Sequence, residues 1–482
     1  MSRDGAVALS PRQAQRRYLG LSGVRWFASG LMMPVQLLLY TARGLDLPTA
    51  GLLVALYSAL IVLLELPTGG LADLIGRRRT MLVSIAAYVT AMLGLALAQH
   101  WWQFAVAVTL SAIGRALGSG PLDAWYVDTV RAADPAASLR AGLSRGWAVE
   151  ALGLGLAATV GGSAPRLFSG LPADGLICPF SVPALGAAAV GAVSFVAHLV
   201  WMTEPAAGNG SVPRPAGGLR SLLRAVPGQV SDGVRLAVGD PVIRLLFART
   251  AAIGVAVVSI EVLSPLQFAA LLGGAERAAA AYGLLVTAAW AGSAAGSVGA
   301  PLLCRLGAAV GLRQPLAVGA LFTGLIATGP ALLALAAFGS GGLPVAVAGY
   351  LLAYLCAGVP GPLADEALHE RVGEGQRATL VSVGSLALQL GGLGGSLGVA
   401  RLADRAGFGS GWLVAGAALL LAAGFTAAAL RRTLTPAPST AVPGPGTAVP
   451  GPGTAVPGPG TAVPVAVRPD RPLATVVDPG GP

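Results

Sequence analysis

Long apolar segments alternate with short polar segments along almost the whole chain. An apolar run of about 20 residues forms a helix long enough to span the hydrocarbon core of a bilayer. Twelve such runs occur, at approximately 19–40, 48–71, 80–99, 102–129, 144–164, 180–202, 242–270, 279–303, 314–338, 342–367, 378–400 and 411–431. The pattern predicts an all-α membrane protein with twelve transmembrane helices.

The composition agrees with this pattern. Of the 482 residues, 55% are hydrophobic and 11% are charged, and the mean hydropathy is +0.73. Soluble domains carry about 25% charged residues, so a water-facing surface cannot be built from this chain. The 69 glycines suit a membrane protein, because small residues let neighbouring helices approach closely in a bilayer.

The net charge of +10 comes entirely from arginine, since the chain contains no lysine. Between the predicted spans, 21 arginines fall on the side that holds the N-terminus and 5 fall on the other. The side richer in positive charge is normally cytoplasmic. We therefore expect a multi-pass protein of the cytoplasmic membrane with both termini in the cytoplasm, and no binding to nucleic acid.

The spans divide the chain into two equal halves. The longest polar gap between spans covers residues 203–241, with six spans before it and six after it. The predicted organisation comprises a cytoplasmic N-terminus, an N-terminal six-helix bundle, a cytoplasmic central loop, a C-terminal six-helix bundle and a disordered cytoplasmic tail, at residues 1–17, 18–202, 203–241, 242–432 and 433–482. The tail contains three copies of T-A-V-P-G-P-G, a composition typical of disorder.

Cysteine and histidine are scattered along the chain. Cys178, Cys304 and Cys356 lie far apart, and His100, His198 and His369 show no ligand spacing. Neither a disulfide framework nor a metal site is expected. No spaced acid pair or phosphate-binding loop is found either, so we expect no cofactor and no enzymatic activity.

A distinctive motif lies between spans two and three. The loop reads Gly69-Gly70-Leu71-Ala72-Asp73-Leu74-Ile75-Gly76-Arg77-Arg78-Arg79. The glycines allow a tight turn and close helix approach, and the acid can meet a helix N-terminus. A plain basic turn would explain the arginines but not an acid placed between Gly70 and Gly76.

This loop resembles the signature G-x-x-x-D-x-x-G-R-[KR]-x of the major facilitator superfamily. The resemblance implies two six-helix bundles around a central cavity, which is lined mainly by helices one, four, seven and ten. It also implies that Asp73, Arg77 and Asp128 form a latch that holds a cytoplasmic gate and breaks during alternating access. The second half contains a degraded copy of the motif between spans eight and nine. In this copy Gly307 takes the place of Gly76, and Cys304 takes the place of Asp73.

Several ionisable residues lie inside the predicted spans. Such groups are costly in a membrane and usually face protein or water. Five of them fall in the cytoplasmic third of the first half, where we expect a gating network: Arg25, Glu65, Asp123, Asp128 and Glu150. Snorkelling to the interface or a static cluster of ion pairs is the alternative for each of them.

The candidates for coupling or substrate binding include three further charged residues in addition to four of the residues just named. These candidates are Arg25, Glu65, Arg115, Asp123, Glu150, Arg249 and Glu261. On a continuous helix Arg115 and Asp123 are about 80° apart, and Arg115 partly matches a helix-four arginine that the family links to proton coupling. Span seven contains Arg249 and Glu261. Burial raises the pKa of a carboxyl group, so Glu261 is the candidate proton carrier, with an ion pair at an outer gate as the alternative.

Aromatic residues in the spans are candidates for the cavity wall or for packing and interface anchors. They are Trp26, Tyr57, Trp125, Tyr126, Trp290 and Tyr354.

The resemblance predicts a secondary transporter that moves a small molecule with protons, as a monomer in the lipid bilayer. Exporters of the superfamily carry G-x-x-x-G-P-x-x-G-G on helix five. Here Ala157 and Ala158 replace the Gly-Pro pair, while Gly161 and Gly162 remain. Efflux of an amphipathic compound is the first hypothesis. Proton-coupled import of a nutrient, and a membrane sensor or scaffold without transport, are the alternatives.

Overall fold

The computed structural model describes residues 9–135, 137–203, 228, 231, 235, 238–369, 371 and 377–434. Side chains are described except at 65–74, 140, 369, 377–382 and 434. Within this part of the chain the secondary structure is helical, with no strand. The predicted tail and most of the predicted central loop lie outside the described residues.

The helices before the central loop form the N-terminal half. They are α1 (Pro11–Gly30), α2 (Gln36–Ala42), α3 (Leu47–Ile75), α4 (Arg77–Leu97), α5 (Trp101–Leu117), α6 (Pro121–Ala133), α7 (Arg140–Leu167) and α8 (Val182–Trp201), with a short 3-10 turn at Pro179–Ser181. The helices after it form the C-terminal half. They are α9 (Pro241–Leu272), α10 (Ala275–Ala309), α11 (Pro315–Ile326), α12 (Thr328–Ala337), α13 (Gly342–Ala357), α14 (Pro360–His369), α15 (Arg377–Ala406) and α16 (Phe408–Leu434).

Ten stretches of the described residues are long and apolar enough to cross a membrane. The expected count of twelve is therefore not confirmed. The two predicted spans outside this set, 19–40 and 144–164, coincide with α1 and α2 and with α7. Both are helical, but α1 is interrupted after Gly30 and α7 carries Arg145 and Glu150 within its length.

Four of the predicted continuous spans are broken by turns, and in the second half the breaks lie at residue 327 and at residues 358–359. The first span is interrupted at residues 31–35, around Pro34, where the amide of Val35 donates to the carbonyl of Met32 at 3.1 Å. The fourth is interrupted between α5 and α6, where Gly120 has a φ of +93°. Arg115 and Asp123 therefore lie on different helices, and the angle expected from one continuous helix does not apply.

The turn of the motif is closed by Gly76, which has a φ of +96°. L-residues with a Cβ rarely adopt this conformation. In the second half Gly307 lies inside α10, and Gly311 has a φ of +96° in the turn that follows. The turn glycine of the second copy is therefore Gly311 and not Gly307.

The two halves meet closely at one end. We call the end that contains Gly76 the motif end, and the end that contains the turn between α2 and α3 the opposite end. Toward the opposite end, a Cβ on Gly162 would overlap the carbonyl of Ala279, and a Cβ on Gly283 would overlap that of Ala158. We call this contact between α7 and α10 the glycine seam. Small residues of this kind let membrane helices approach backbone to backbone.

A second close contact joins α3 to α15. Gly51 packs against Ser396 and Ala400, again toward the opposite end. The chain separates into two units, Met1–Thr435 and Pro436–Pro482, and the second unit lies outside the described residues. The division of the first unit into two six-helix bundles stays a prediction.

Candidate functional site

A cavity of about 300 Å³ lies between the two halves. Most of its wall belongs to the N-terminal half, on α1, α3, α4, α5 and α8, and three residues belong to the C-terminal half: Glu261, Tyr282 and Tyr354. Small-molecule sites have volumes of about 300–1,000 Å³. The cavity is therefore large enough for a small ligand.

The charged groups of the cavity wall are two arginines and one acid. Arg25 and Arg115 come from α1 and α5, and Glu261 comes from α9. The side chains of Arg115 and Glu261 are exposed. The Nη2 of Arg25 donates to the carbonyl of Gly118 at 3.1 Å, which fixes this guanidinium beside the break between α5 and α6.

Trp26 carries both guanidinium groups over its ring. The Cζ of Arg25 lies 5.2 Å from the ring centroid, and the Cζ of Arg115 lies 5.4 Å from it. A cation within about 6 Å of an indole face is attracted by the ring quadrupole. One aromatic ring thus holds two like charges at the edge of the cavity.

The part of the wall nearer the opposite end is apolar. Met32, Met92 and Leu95 are almost fully buried there. Methionine is flexible and adapts to ligands of different shape. This region was missed in the sequence, because an apolar residue of a span reads the same whether it faces lipid, protein or a cavity.

The wall contributed by the C-terminal half is aromatic. Tyr350 packs edge-on against Tyr282 and Phe268, with ring centroids 5.5 and 6.1 Å away, and lies 5.1 Å from the ring of Tyr354. The hydroxyl of Tyr350 donates to that of Tyr282 at 3.3 Å. The contacts with Tyr350 hold the rings of Tyr282 and Tyr354 in place at the cavity wall.

At the motif end, Arg77 and Asp128 form an ion pair with 2.7 Å between Nη1 and Oδ2. These are two of the three residues that the resemblance assigned to a latch. The side chains of Asp73 and Glu65, and the Gly70 position, lie outside the side chains that the structure describes. Arg78 donates to the carbonyl of Leu199, and Arg79 is exposed.

The other acids of the predicted gating network are placed differently. The Oδ1 of Asp123 accepts a hydrogen bond from the hydroxyl of Tyr18 at 2.7 Å, and the ring of Tyr18 stacks on Tyr126 at 4.5 Å. Glu150 is half-buried. Neither acid lines the cavity. Asp123, Asp128 and Glu150 thus lie outside the cavity wall, although Glu150 and Asp123 are close enough to attract Arg25.

In the C-terminal half, Arg249 is 6% exposed and is attracted by the negative charge of Asp365. It does not line the cavity.

An ion pair not expected from the sequence joins Arg371 to Asp240, with 3.1 Å between Nη1 and Oδ2. Burial raises the pKa of Asp240, but the amides of Val242 and Ile243 and the charge of Arg371 outweigh it and leave the pKa below its ordinary value.

A sequence signal for Asp240 was available. An acid directly before a proline at the start of a span, as in Asp240-Pro241, is typical of a helix N-cap, and the Asp240 side chain accepts from the amides of Val242 and Ile243. The partner Arg371 had no comparable signal, because it is 131 residues away.

Among the six aromatic candidates, Tyr57 and Tyr354 line the cavity. Trp125 is instead a packing residue, 1% exposed, whose Nε1 donates to the carbonyl of Thr203 at 2.7 Å. In the described part of the chain, no three His, Cys, Asp or Glu side chains are grouped so that they could hold a metal ion.

Comparisons with known proteins agree on one family. The model of the Major Facilitator Superfamily matches residues 19–329. No curated protein matches the chain in sequence.

Solved structures share the fold. A crystal structure of the nucleoside transporter NupG has 12% identity and a TM-score of 0.65, over 86% of this chain and 98% of that one. A POT family transporter in complex with a thioalcohol-conjugated peptide has 15% identity and a TM-score of 0.67, over 87% and 96%. The human organic anion transporter MFSD10 has 18% identity and a TM-score of 0.57, over 86% and 99%.

Proposed function

Since this chain belongs to the Major Facilitator Superfamily and has the fold of its transporters, we propose that it moves a small molecule across the cytoplasmic membrane by alternating access. The observation that carries the proposal is the cavity between the two halves, with Arg25, Arg115 and Glu261 in its wall. Ionisable groups at membrane depth mark substrate or ion pathways.

The glycine seam and the Arg77–Asp128 pair support alternating access. The seam holds α7 against α10 toward the opposite end, and we infer from this closed contact that the cavity is reached from the motif end. Alternating access then requires the seam to open and the motif end to close. The Arg77–Asp128 pair is suited to act as a latch because its side chains are 25% and 49% exposed, and an ion pair that is partly in water is cheap to break.

The excess of arginine at the motif end supports a cytoplasmic location for that end and for both termini. A cavity reached from the cytoplasm can receive a substrate from inside the cell, and efflux is the first candidate direction. Import of a nutrient by the reverse cycle is the second candidate. NupG and the POT family transporter are described as transporters of a nucleoside and a peptide, so this fold serves chemically different substrates.

Glu261 is proposed as the proton carrier. Its side chain is exposed in the cavity, on the half that does not carry Arg25 and Arg115. A carboxylate in this place can be reached from one side of the membrane at a time when the two halves rock around the cavity. Protonation would remove its charge and thereby change the attraction between the halves.

Transport by purified protein in proteoliposomes tests this function. Substrates are found by counterflow from a panel of small acids, amines, alcohols, nucleosides and peptides, and each hit is then driven by a pH gradient. We expect Glu261→Gln to abolish gradient-driven accumulation, by about tenfold or more, and to retain counterflow, since exchange needs no net proton movement. Glu276→Gln is the matched control, because Glu276 lies at the start of α10 and outside the cavity wall.

Two results would contradict the proposal. If no compound of the panel moved, transport would be refuted in favour of the sensor or scaffold hypothesis. If accumulation in the Glu261→Gln variant still followed the pH gradient, the proton-carrier role of Glu261 would be wrong while transport itself would stand.

A further inference from the structure

The cavity wall carries more positive than negative charge. Arg25 and Arg115 contribute two guanidinium groups, and Glu261 contributes one carboxylate. Among the described residues, neither arginine forms an ion pair with an acid. Outside the cavity wall, Glu150 and Asp123 are close enough to attract Arg25, and Glu150 also attracts Arg115.

The two arginines are placed as a pair. Both guanidinium groups lie within 5.4 Å of the centroid of the Trp26 ring, although they come from different helices. The charge of Arg115 acts on Arg25, and like charges repel each other more strongly where the surroundings are poorer in water than bulk solvent. An anion between them would turn this repulsion into two charge-assisted interactions. A guanidinium group matches a carboxylate in a planar, two-pronged geometry.

Toward the opposite end, the wall contributed by the N-terminal half is mostly apolar, with Gln36 as a polar member. From Arg25 to Met32 along the first span, and from Arg115 to Val108 along α5, the wall changes from charged to aliphatic toward the opposite end. Met92 and Leu95 of α4 continue the aliphatic region. A ligand that fills the cavity is thus anionic at one end and apolar at the other.

We propose that the cavity binds an amphipathic organic anion, with a carboxylate head between Arg25 and Arg115 and an apolar body against Met32, Met92 and Leu95. This inference rests on the proposed function and specifies its substrate class. The aromatic wall of Tyr282 and Tyr354 supplies an additional flat apolar surface for the body of the ligand. A carboxylate head would add one negative charge to a wall that carries two guanidinium groups and one carboxylate.

Binding of three matched probes tests the proposal. The probes are 3-phenylpropanoate, 3-phenylpropylamine and 3-phenylpropanol, which share one carbon skeleton and differ in charge. Binding is measured by calorimetry with the full chain in lipid nanodiscs, and empty nanodiscs correct for partition into lipid. We expect the acid to bind about tenfold or more tightly than the amine, with the alcohol in between, because the arginines attract only the acid.

Arginine variants locate the head of the ligand. We expect Arg115→Gln and Arg25→Gln each to weaken acid binding about tenfold and to leave alcohol binding within about twofold, the pattern of a lost charge-assisted hydrogen bond. Arg131→Gln is the matched control, since Arg131 is exposed on α6 and lies outside the cavity wall. Arg25→Lys retains the positive charge and serves as the conservative variant. The size-exclusion elution profile of each variant shows whether loss of the hydrogen bond to the carbonyl of Gly118 unfolds the protein.

The proposal is overturned if the amine binds as tightly as the acid, if none of the three probes binds, or if Arg115→Gln and the Arg131→Gln control bind the acid equally. Counterflow with the same probes separates this inference from the proposed function. Acid binding that depends on Arg115 but is not followed by movement refutes transport and supports the site. Movement of the amine in preference to the acid refutes the anion site and supports transport.

Discussion

The N-terminal and C-terminal halves supply different chemistry to the same cavity. The N-terminal half provides the two arginines and the flexible methionine region, whereas the C-terminal half provides one acid on a wall of interlocking tyrosines. One half is therefore suited to hold ligands of varied shape, and the other presents a fixed surface with a single titratable group. The two related halves therefore contribute different chemical groups to the same cavity wall.

The same contrast appears at the motif end. Gly76 and Gly311 adopt the same φ of +96°, although one residue separates α3 from α4 and five residues separate α10 from α11. The ion pairs also differ. Arg77 of the turn pairs with Asp128 on α6, whereas the C-terminal half joins Arg371, after α14, to the N-cap Asp240 of α9. The two halves thus share a turn glycine of positive φ and differ in turn length and in the placing of their charges.

The largest effect is expected where the halves touch. In Gly283→Ala the new Cβ would overlap the carbonyl oxygen of Ala158, and overpacking of this kind costs about 1–3 kcal/mol. The strain falls on the contact between the halves, so we expect a clear drop in the thermal unfolding midpoint and a strong loss of counterflow.

Gly292→Ala on the same helix is the matched control. Its Cβ would meet Leu355 at an ordinary 3.7 Å, within the C-terminal half. If both variants behaved like the native protein in unfolding and in counterflow, the seam would not be the place where the two halves are held together.

An intermediate effect is expected at the two turn glycines. An alanine at either position must adopt a positive φ, at roughly 1–2 kcal/mol, so we expect Gly76→Ala and Gly311→Ala to lower the unfolding midpoint by similar amounts. We expect counterflow to fall further in Gly76→Ala, because that turn also places Arg77 against Asp128. Equal losses of counterflow would mean that the two turns are equivalent and that the rearranged charges carry no functional difference.

The smallest effect is expected from the ion pairs themselves. Exposed pairs contribute about 0–1 kcal/mol, so Arg77→Gln and Asp240→Asn should each lower the unfolding midpoint only slightly at pH 7. The pKa of Asp240 is lowered in the folded state, so its contribution is complete above the ordinary value of 3.8 and is lost as the pH falls through the lowered pKa.

Unfolding midpoints from pH 7 to pH 3 check this sign. The difference between the native chain and Asp240→Asn should shrink toward the acidic end. If the difference between the two unfolding midpoints grew on acidification, Asp240 would not be stabilised as a carboxylate. The Asp240–Arg371 pair would then not be a stabilising counterpart of the Arg77–Asp128 pair.

Much of the helical layout was predictable because a spanning helix must be long and apolar. The run at 180–202 corresponds to Val182–Trp201, and that at 411–431 lies within Phe408–Leu434. The breaks at 31–35 and 118–120 were not predicted, because the mean hydropathy of about 20 consecutive residues does not change when a short turn interrupts the helix. Gly120 and Pro34 were visible in the sequence, but membrane helices tolerate such residues without breaking.

The site was predictable only through its charges. Arg25, Arg115 and Glu261 were found because a charge within an apolar span is conspicuous, and the structure places all three in one cavity wall. Met32, Met92 and Leu95 carry no such mark. The pairing of Asp240 with Arg371 depends on how distant helices pack, which hydropathy along the chain does not encode.

The glycine seam has a mechanical consequence. Tightly interlocked side chains must disengage before two helices can move past each other, since packed interiors resist deformation. Where α7 meets α10, the closest approaches involve Gly162 and Gly283 and the main chain of the partner helix. At these points one helix can roll over the other without separating interlocked side chains, and the hydrogen bonds of Thr287 to Thr159 and to the carbonyl of Gly155 are the contacts that must break.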